Sequence, residues 1–167
     1  MTVWLIMAGG SDDAYLDAFH EEKGAVFSFK EGGDIRGLDK KAIIERFENK
    51  EYIDGPRKGK VISHHNAVRY ASQILKIRDE VKRGDYLYTS LKDGAEFLIG
   101  RVKKDPYEYR PDNHQDHRHI LRTKWGAPTN TAAIPAHLLC ELGPYRHTIR
   151  TPRQQEELAA YAGRLFA

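Results

Sequence analysis

The spacing of apolar residues changes several times along the chain, and each change marks an element. Thr2–Met7 is a short apolar run and reads as a buried strand. Ser11 then stands as an N-cap, Asp12 and Asp13 suit the positive start of a helix, and Tyr15, Leu16, Ala18 and Phe19 supply its apolar stripe. Gly24 is expected to end that helix, with Ala25–Phe29 as a second strand. Helical spacing returns at Leu38–Phe47, with Ile43, Ile44 and Phe47 on one side. Tyr52–Lys60 reads as a basic loop containing Gly and Pro, and a long helix is expected from about Ser63 to Val81. Arg83-Gly84-Asp85 is a turn into a strand at Tyr86–Leu91. Lys92-Asp93-Gly94 then turns the chain back into Glu96–Val102. Tyr107–His117 reads as a polar loop and His119–Trp125 as a strand. A loop through Asn130 leads to a short helix near Pro135–Leu142, and Tyr145–Arg150 is the last expected strand. Pro152 is placed at the first turn of a terminal helix that carries Leu158, Tyr161, Ala162 and Leu165. The pattern predicts one α+β domain over residues 1–167, with strands joined by hairpins and long returns and helices packed around the sheet.

Composition changes this picture little. With 31% charged and 40% hydrophobic residues, the chain has the balance of a globular domain. No apolar run reaches the length of a membrane span, and no secretory signal pattern opens the chain. Cys140, the one cysteine, sits in an apolar helical pattern and reads as a small core residue. A cytoplasmic location and no membrane partner are therefore expected. Net charge is only +3, but the basic residues cluster. Arg101, Lys103, Lys104, Arg110, Arg118, Arg122 and Lys124 crowd one stretch together with His114, His117 and His119. Arg57, Lys58 and Lys60 form a second group. Such clusters suit phosphate contacts, although ordinary solvated charge explains them as well.

Several motifs occur in a telling order. VWLIMAGG at Val3–Gly10 runs a strand into a Gly-Gly loop, and GAVFSF at Gly24–Phe29 sets two aromatics around a serine. RGDYLYTSLKDGAEFLIGRV follows at Arg83–Val102, then PYEYRPD at Pro106–Asp112, HRH, TKW at Thr123–Trp125, and IPAHLLCELG. From Val3 to about Arg150 this order resembles the EVE and YTH domains of the PUA-like superfamily. It looks closest to the EVE-like domains at the N-terminus of modification-dependent restriction endonucleases of the Mrr and McrB type. The resemblance implies a PUA-like curved mixed sheet or partial β-barrel surrounded by helices. It also implies a small aromatic pocket for a flipped-out modified base, such as methylated or hydroxymethylated cytosine or N6-methyladenine. Double-stranded DNA is then the expected partner, with a nuclease in a fused domain or subunit. The chain lacks a convincing PD-(D/E)xK sequence, so it is expected to bind rather than catalyse. No cofactor or metal is expected.

Residue by residue, the resemblance maps the pocket onto Phe27 and Ser28, with Phe29 able to take the role of Phe27 under a shift of one. Strand alternation would put Phe27 and Phe29 on one face and leave Ser28 to contribute its backbone N–H. Core packing is the competing account for either phenylalanine. Tyr107 and Tyr109 are the candidates for the opposite wall, with Trp125 as a further stacking candidate. Ala8, Gly9, Gly10 and Ser11 would line the pocket with backbone, and Tyr88, Thr89 and Ser90 would face it from the third strand. Lys103, Lys104, Arg110, Arg118 and Arg122, with Arg57, Lys58 and Lys60, would hold the nucleic-acid backbone. Two alternatives remain open. One is a modified-RNA reader of the YTH or PUA type. The other is a small metal-dependent nuclease or hydrolase built on His114, His117 and His119 with Asp112 or Asp116.

Overall fold

In the computed structural model the opening apolar run forms β1 (Val3–Ile6). It is followed by β2 (Gly24–Phe27), β3 (Tyr86–Leu91), β4 (Glu96–Tyr109), β5 (His119–Trp125), β6 (Thr129–Asn130) and β7 (Ile149–Arg150). The helices are α1 (Leu16–Glu21), α2 (Lys40–Phe47), α3 (His64–Leu75), α4 (Ala136–Leu142) and α5 (Gln155–Leu165). The structure describes residues 1–7, 16–91, 94–112, 118–142 and 148–167. Among these the strands join one seven-stranded sheet in the order β2-β5-β4-β3-β1-β7, with β6 beside β4. Only β1 and β3 run parallel; the other pairs are antiparallel. The fold is α+β, an open and mostly antiparallel sheet with helices on both faces. None of the described helices is long and apolar enough to cross a membrane.

β1 is apolar throughout because both of its faces are covered. Trp4 and Ile6 pack with Leu87, Leu98 and Ile120 under Phe19 of α1, Phe47 of α2 and Ile74 of α3. Val3 and Leu5 pack on the other face with Tyr86, Tyr88 and Ile99 under Leu138 of α4 and Leu158 of α5. The β1–β3 junction is tied by one buried carboxylate. Asp85 Oδ1 accepts the Thr2 N–H at 2.8 Å, and Oδ2 accepts the Trp4 indole N–H and the Lys82 N–H, each at 3.0 Å.

Six expectations are corrected. First, Gly24 does not end α1: it opens β2, and the left-handed residue before it is Lys23, at φ 53°. Glycine is needed there because a Cβ would lie 2.5 Å from the Leu121 carbonyl oxygen of the paired strand. Gly24→Ala is therefore expected to lower stability by about 2 kcal/mol, read as a shift in the urea midpoint at unchanged slope. Second, β2 stops at Phe27, and Phe29 turns left-handed at φ 34° to start a 3-10 turn at Lys30–Gly32. Strand alternation therefore no longer governs Phe27, Ser28 and Phe29. Third, the long helix holds α-geometry only to Leu75 and then widens into a π-turn over Lys76–Glu80. Fourth, the expected loop from Tyr107 is strand. β4 runs through to Tyr109 because a bulge between Val102 and Tyr107 resets its register with β5. Pro106 and the left-handed Asp105, at φ 50°, belong to that bulge rather than to a strand end. Fifth, the terminal helix begins at Gln155, so Pro152 stands three residues before it and not in its first turn. Sixth, Cys140 is exposed on α4 and not a core residue, because α4 turns Leu138 and Leu142 inward instead.

Candidate functional site

A pocket of about 320 Å³ opens where β1 and β2 end. Met7 and Thr148 line it from the β1–β7 side, Val26 and Phe27 from β2, and Ser28 and Phe29 from the turn after it. These strands stand at opposite ends of the sheet order, so one pocket touches both only because the sheet curls. α2 and α3 fill the curl and add Phe47 and Tyr70 to the lining; Glu31, Tyr52 and Asp54 complete it from the intervening loops. α3 also seals the β7 edge: buried Gln73 accepts the Ile149 N–H at 2.9 Å.

The rings of the pocket interlock. Tyr70 lies 5.5 Å from Phe47, and it meets Phe29 at 6.1 Å and Tyr52 at 6.3 Å in edge-to-face geometry. The Tyr52 and Tyr70 hydroxyls share a 2.9 Å hydrogen bond. Burial, then this bond, pushes the Tyr70 hydroxyl above the usual tyrosine range, so it stays neutral at physiological pH. Phe29 holds its place in a backbone region that bulky residues rarely adopt, the kind of local strain found at ligand sites.

Two carboxylates add polar specificity. Glu31 accepts the Ile53 N–H at 3.3 Å through Oε1, and among the described residues its Oε2 has no partner. Asp54 pairs with the Lys30 ammonium. Two exposed guanidinium groups flank the mouth, with Arg57 5.8 Å from the Tyr52 ring centre and Arg69 5.4 Å from that of Tyr70. The arrangement offers stacking walls, hydroxyls that donate or accept, a carboxylate acceptor, and cations at the rim.

The structure brings Phe27, Ser28 and Phe29 together in this pocket. It does not bring Tyr107 or Tyr109 into the lining. Both pack on His119 instead: Tyr107 hydrogen-bonds Nδ1 at 2.8 Å, and the Tyr109 ring lies 5.1 Å away, with the Arg36 guanidinium 5.6 Å from Tyr109. His119 meets Phe29 edge-on at 6.3 Å, so these tyrosines stand behind the pocket wall, not on it. They are placed there because the bulge returns β4 to the sheet. Trp125 is taken up by Phe19, stacked at 5.2 Å. Tyr88 belongs to the opposite face, where its O–H donates to the Leu158 carbonyl at 2.7 Å. Thr89 is buried and Ser90 half-buried in β3, both outside the lining. Ala8, Gly9, Gly10 and Ser11 lie outside the described residues, as do His114, Asp116 and His117. Among the described residues no group of three His, Cys, Asp or Glu side chains could hold a metal.

The proposed phosphate contacts divide in a similar way. Arg57, Lys58 and Lys60 are exposed in the loop beside the pocket, and Lys103 and Lys104 are exposed at the β4 bulge. Arg110 is held by Glu108 at 2.7 Å and by Glu22, and Arg122 by Glu108 at 2.8 Å. Arg110, and after it Arg122, keeps the Glu108 carboxyl below its usual range. These two arginines are thus engaged within the protein: Glu108 lies two residues before Arg110 and reaches Arg122 from the adjacent strand, and Glu22 comes beside Arg110 from far away in the sequence. Arg118 is half-buried.

Sequence reasoning missed Met7, Val26, Glu31, Phe47, Tyr52, Asp54, Tyr70 and Thr148. Tyr70 sits in the apolar stripe of a helix and reads as core. Its hydroxyl among otherwise apolar neighbours, and an aromatic at the start of a basic loop in Tyr52, were the available signals.

No family model and no curated protein matches the chain. Among solved structures, an NMR structure of a Rhodopseudomonas palustris protein is similar over 100% of this chain and 96% of that one, with 14% identity and a TM-score of 0.42.

Proposed function

We propose that this chain is a reader of modified DNA, an EVE-like domain of the PUA-like superfamily, holding an extruded modified base in the pocket between Phe27–Phe29 and Tyr70. The observation that carries the reading is the pocket: several aromatic rings around about 320 Å³, with hydroxyls and a carboxylate among them. That volume is at the small end of ligand sites, which run from about 300 to 1,000 Å³. A base must leave the duplex to be enclosed in this way, and it then stacks on flat apolar walls. Glu31 suits a base edge that offers N–H donors, as the exocyclic amines of cytosine and adenine do. This chemistry fits methylated or hydroxymethylated cytosine and N6-methyladenine. Arg57 and Arg69 at the rim would take the flanking phosphates. In this reading the chain is the recognition module of a modification-dependent restriction system, acting in the cytoplasm, and cleavage belongs to a fused or partner nuclease.

The test is binding, by fluorescence anisotropy at two salt concentrations, to matched duplexes carrying cytosine, 5-methylcytosine, 5-hydroxymethylcytosine or N6-methyladenine. One modified duplex is expected to be preferred at both salts. Tyr70→Ala is expected to weaken that duplex about 10- to 100-fold, as a lost stacking surface of about 1–3 kcal/mol implies. Equal and strongly salt-sensitive binding to every duplex overturns the reading, and preference for the same base in RNA alone would replace DNA with RNA.

A further inference from the structure

Residues 50–62 form a hairpin-like finger beside the pocket. The backbone pairs Ile62 N–H with Lys50 O at 2.7 Å, Tyr52 N–H with Lys60 O at 3.0 Å and Gly59 N–H with Tyr52 O at 3.0 Å, and Glu51 bridges Val61. Tyr52 and Asp54 line the pocket. Ile53 stands between them in sequence and is 55% exposed. Its backbone N–H donates to the Glu31 carboxylate, itself part of the lining, at 3.3 Å, which ties this part of the finger to the pocket. The rest of the finger tip, residues 53–60, is exposed and carries Arg57, Lys58 and Lys60.

Extruding a base leaves a gap in the stack, and the unstacking costs a few kcal/mol unless something fills the gap. Apolar side chains flanked by cations are the groups that do so in DNA-distorting proteins. We infer that the 50–62 finger enters the duplex where the base has left it, with Ile53 as the wedge in the vacated space and Arg57, Lys58 and Lys60 on the adjoining phosphates. The occupant of this surface is therefore duplex DNA, selected by the positive charge of the finger and by its continuity with the pocket. The inference rests on the base-reading proposal above. It adds an element that acts on the duplex and not on the base, and it explains why a large aliphatic side chain is exposed between two residues that line the pocket.

The test compares wild type, Ile53→Ser and Val61→Ser on two probes carrying the same preferred modified base, one duplex and one single-stranded. Both positions are exposed, at 55% and 58%, so both variants should fold. Val61 serves as the control because it lies at the base of the finger, away from the pocket lining. Ile53→Ser is expected to weaken duplex binding about tenfold while changing single-strand binding less than about twofold, since a single strand has no gap to fill. Val61→Ser should leave both nearly unchanged. With 2-aminopurine beside the modified base, Ile53→Ser should also reduce the fluorescence rise that reports unstacking. Equal losses on both probes, losses equal to those of Val61→Ser, or no loss on the duplex overturn the wedge while leaving the pocket reading intact. Absence of any modification preference in the wild type on either probe overturns the pocket reading, and the wedge with it.

Discussion

Asp85→Ala is expected to lower the free energy of unfolding by about 3–4 kcal/mol, the largest effect of any single substitution considered. The carboxylate is buried and accepts from three N–H donors: the Thr2 backbone, the Trp4 indole and the Lys82 backbone. Alanine strands all three, and a buried unpaired donor costs about 1–3 kcal/mol before relaxation and water entry reduce the sum. Asp85→Asn keeps one acceptor oxygen and should fall between alanine and wild type. Urea unfolding of the three proteins measures the order. A loss below about 1 kcal/mol for alanine would mean that water replaces the carboxylate easily. The effect reaches the site, because the bonds to Thr2 and Trp4 set β1 against β3, and β1 leads directly into Met7 at the pocket. On the base-reading proposal, Asp85→Ala protein that still folds should therefore bind the preferred duplex more weakly than wild type.

Acidification is expected to destabilise the fold by about 3 kcal/mol through His119 alone. Burial pushes this imidazole down from the ordinary value of 6.5 to about 4, and nearby Arg118 pushes in the same direction. The backbone of Phe29 and the charge of Asp34 oppose the shift without reversing it. Below pH 6.5 the unfolded chain takes up a proton that the folded chain refuses. Stability therefore falls as pH drops from about 6.5 to about 4, and this contribution is flat below that window. Carboxylates such as Asp34 and Glu108 add acid sensitivity at lower pH, so the His119 part is read as a difference. The stability gap between wild type and His119→Gln should shrink by about 3 kcal/mol between pH 7 and pH 4. Parallel pH profiles would show that His119 titrates normally. Because His119 backs Phe29, the base-reading proposal adds that base binding should weaken over the same window.

The sequence by itself determined the elements whose cause is local. Apolar spacing located β1, β3, β5, α2, α4 and α5 to within a few residues, because burial of one face imposes a period of two or near 3.6 wherever the fold places the segment. Asp39 and Ser63 cap α2 and α3 through N–H groups only three residues ahead. Phe27, Ser28 and Phe29 line one cavity together, since they are consecutive and the end of β2 and the turn after it carry all three.

Tertiary structure decided everything that depended on distant partners. The curl of the sheet brings residues near 7, 27 and 148 together, and no local pattern records a meeting of two sheet edges. The rings that share the cavity with Phe27 and Phe29 are Phe47, Tyr52 and Tyr70, and not Tyr107 and Tyr109. A bulge, whose cost and benefit lie in the β4–β5 ladder, returned the latter pair to the sheet behind His119. Asp85 reads as a turn residue in sequence, and only the approach of Thr2 and Trp4 makes it a buried tie between strands. Arg110 and Arg122 look available in a basic stretch until Glu108 and Glu22 fold against them. Periodicity reports which side of an element is buried, whereas a binding site depends on which buried sides meet, and that is set by long-range packing.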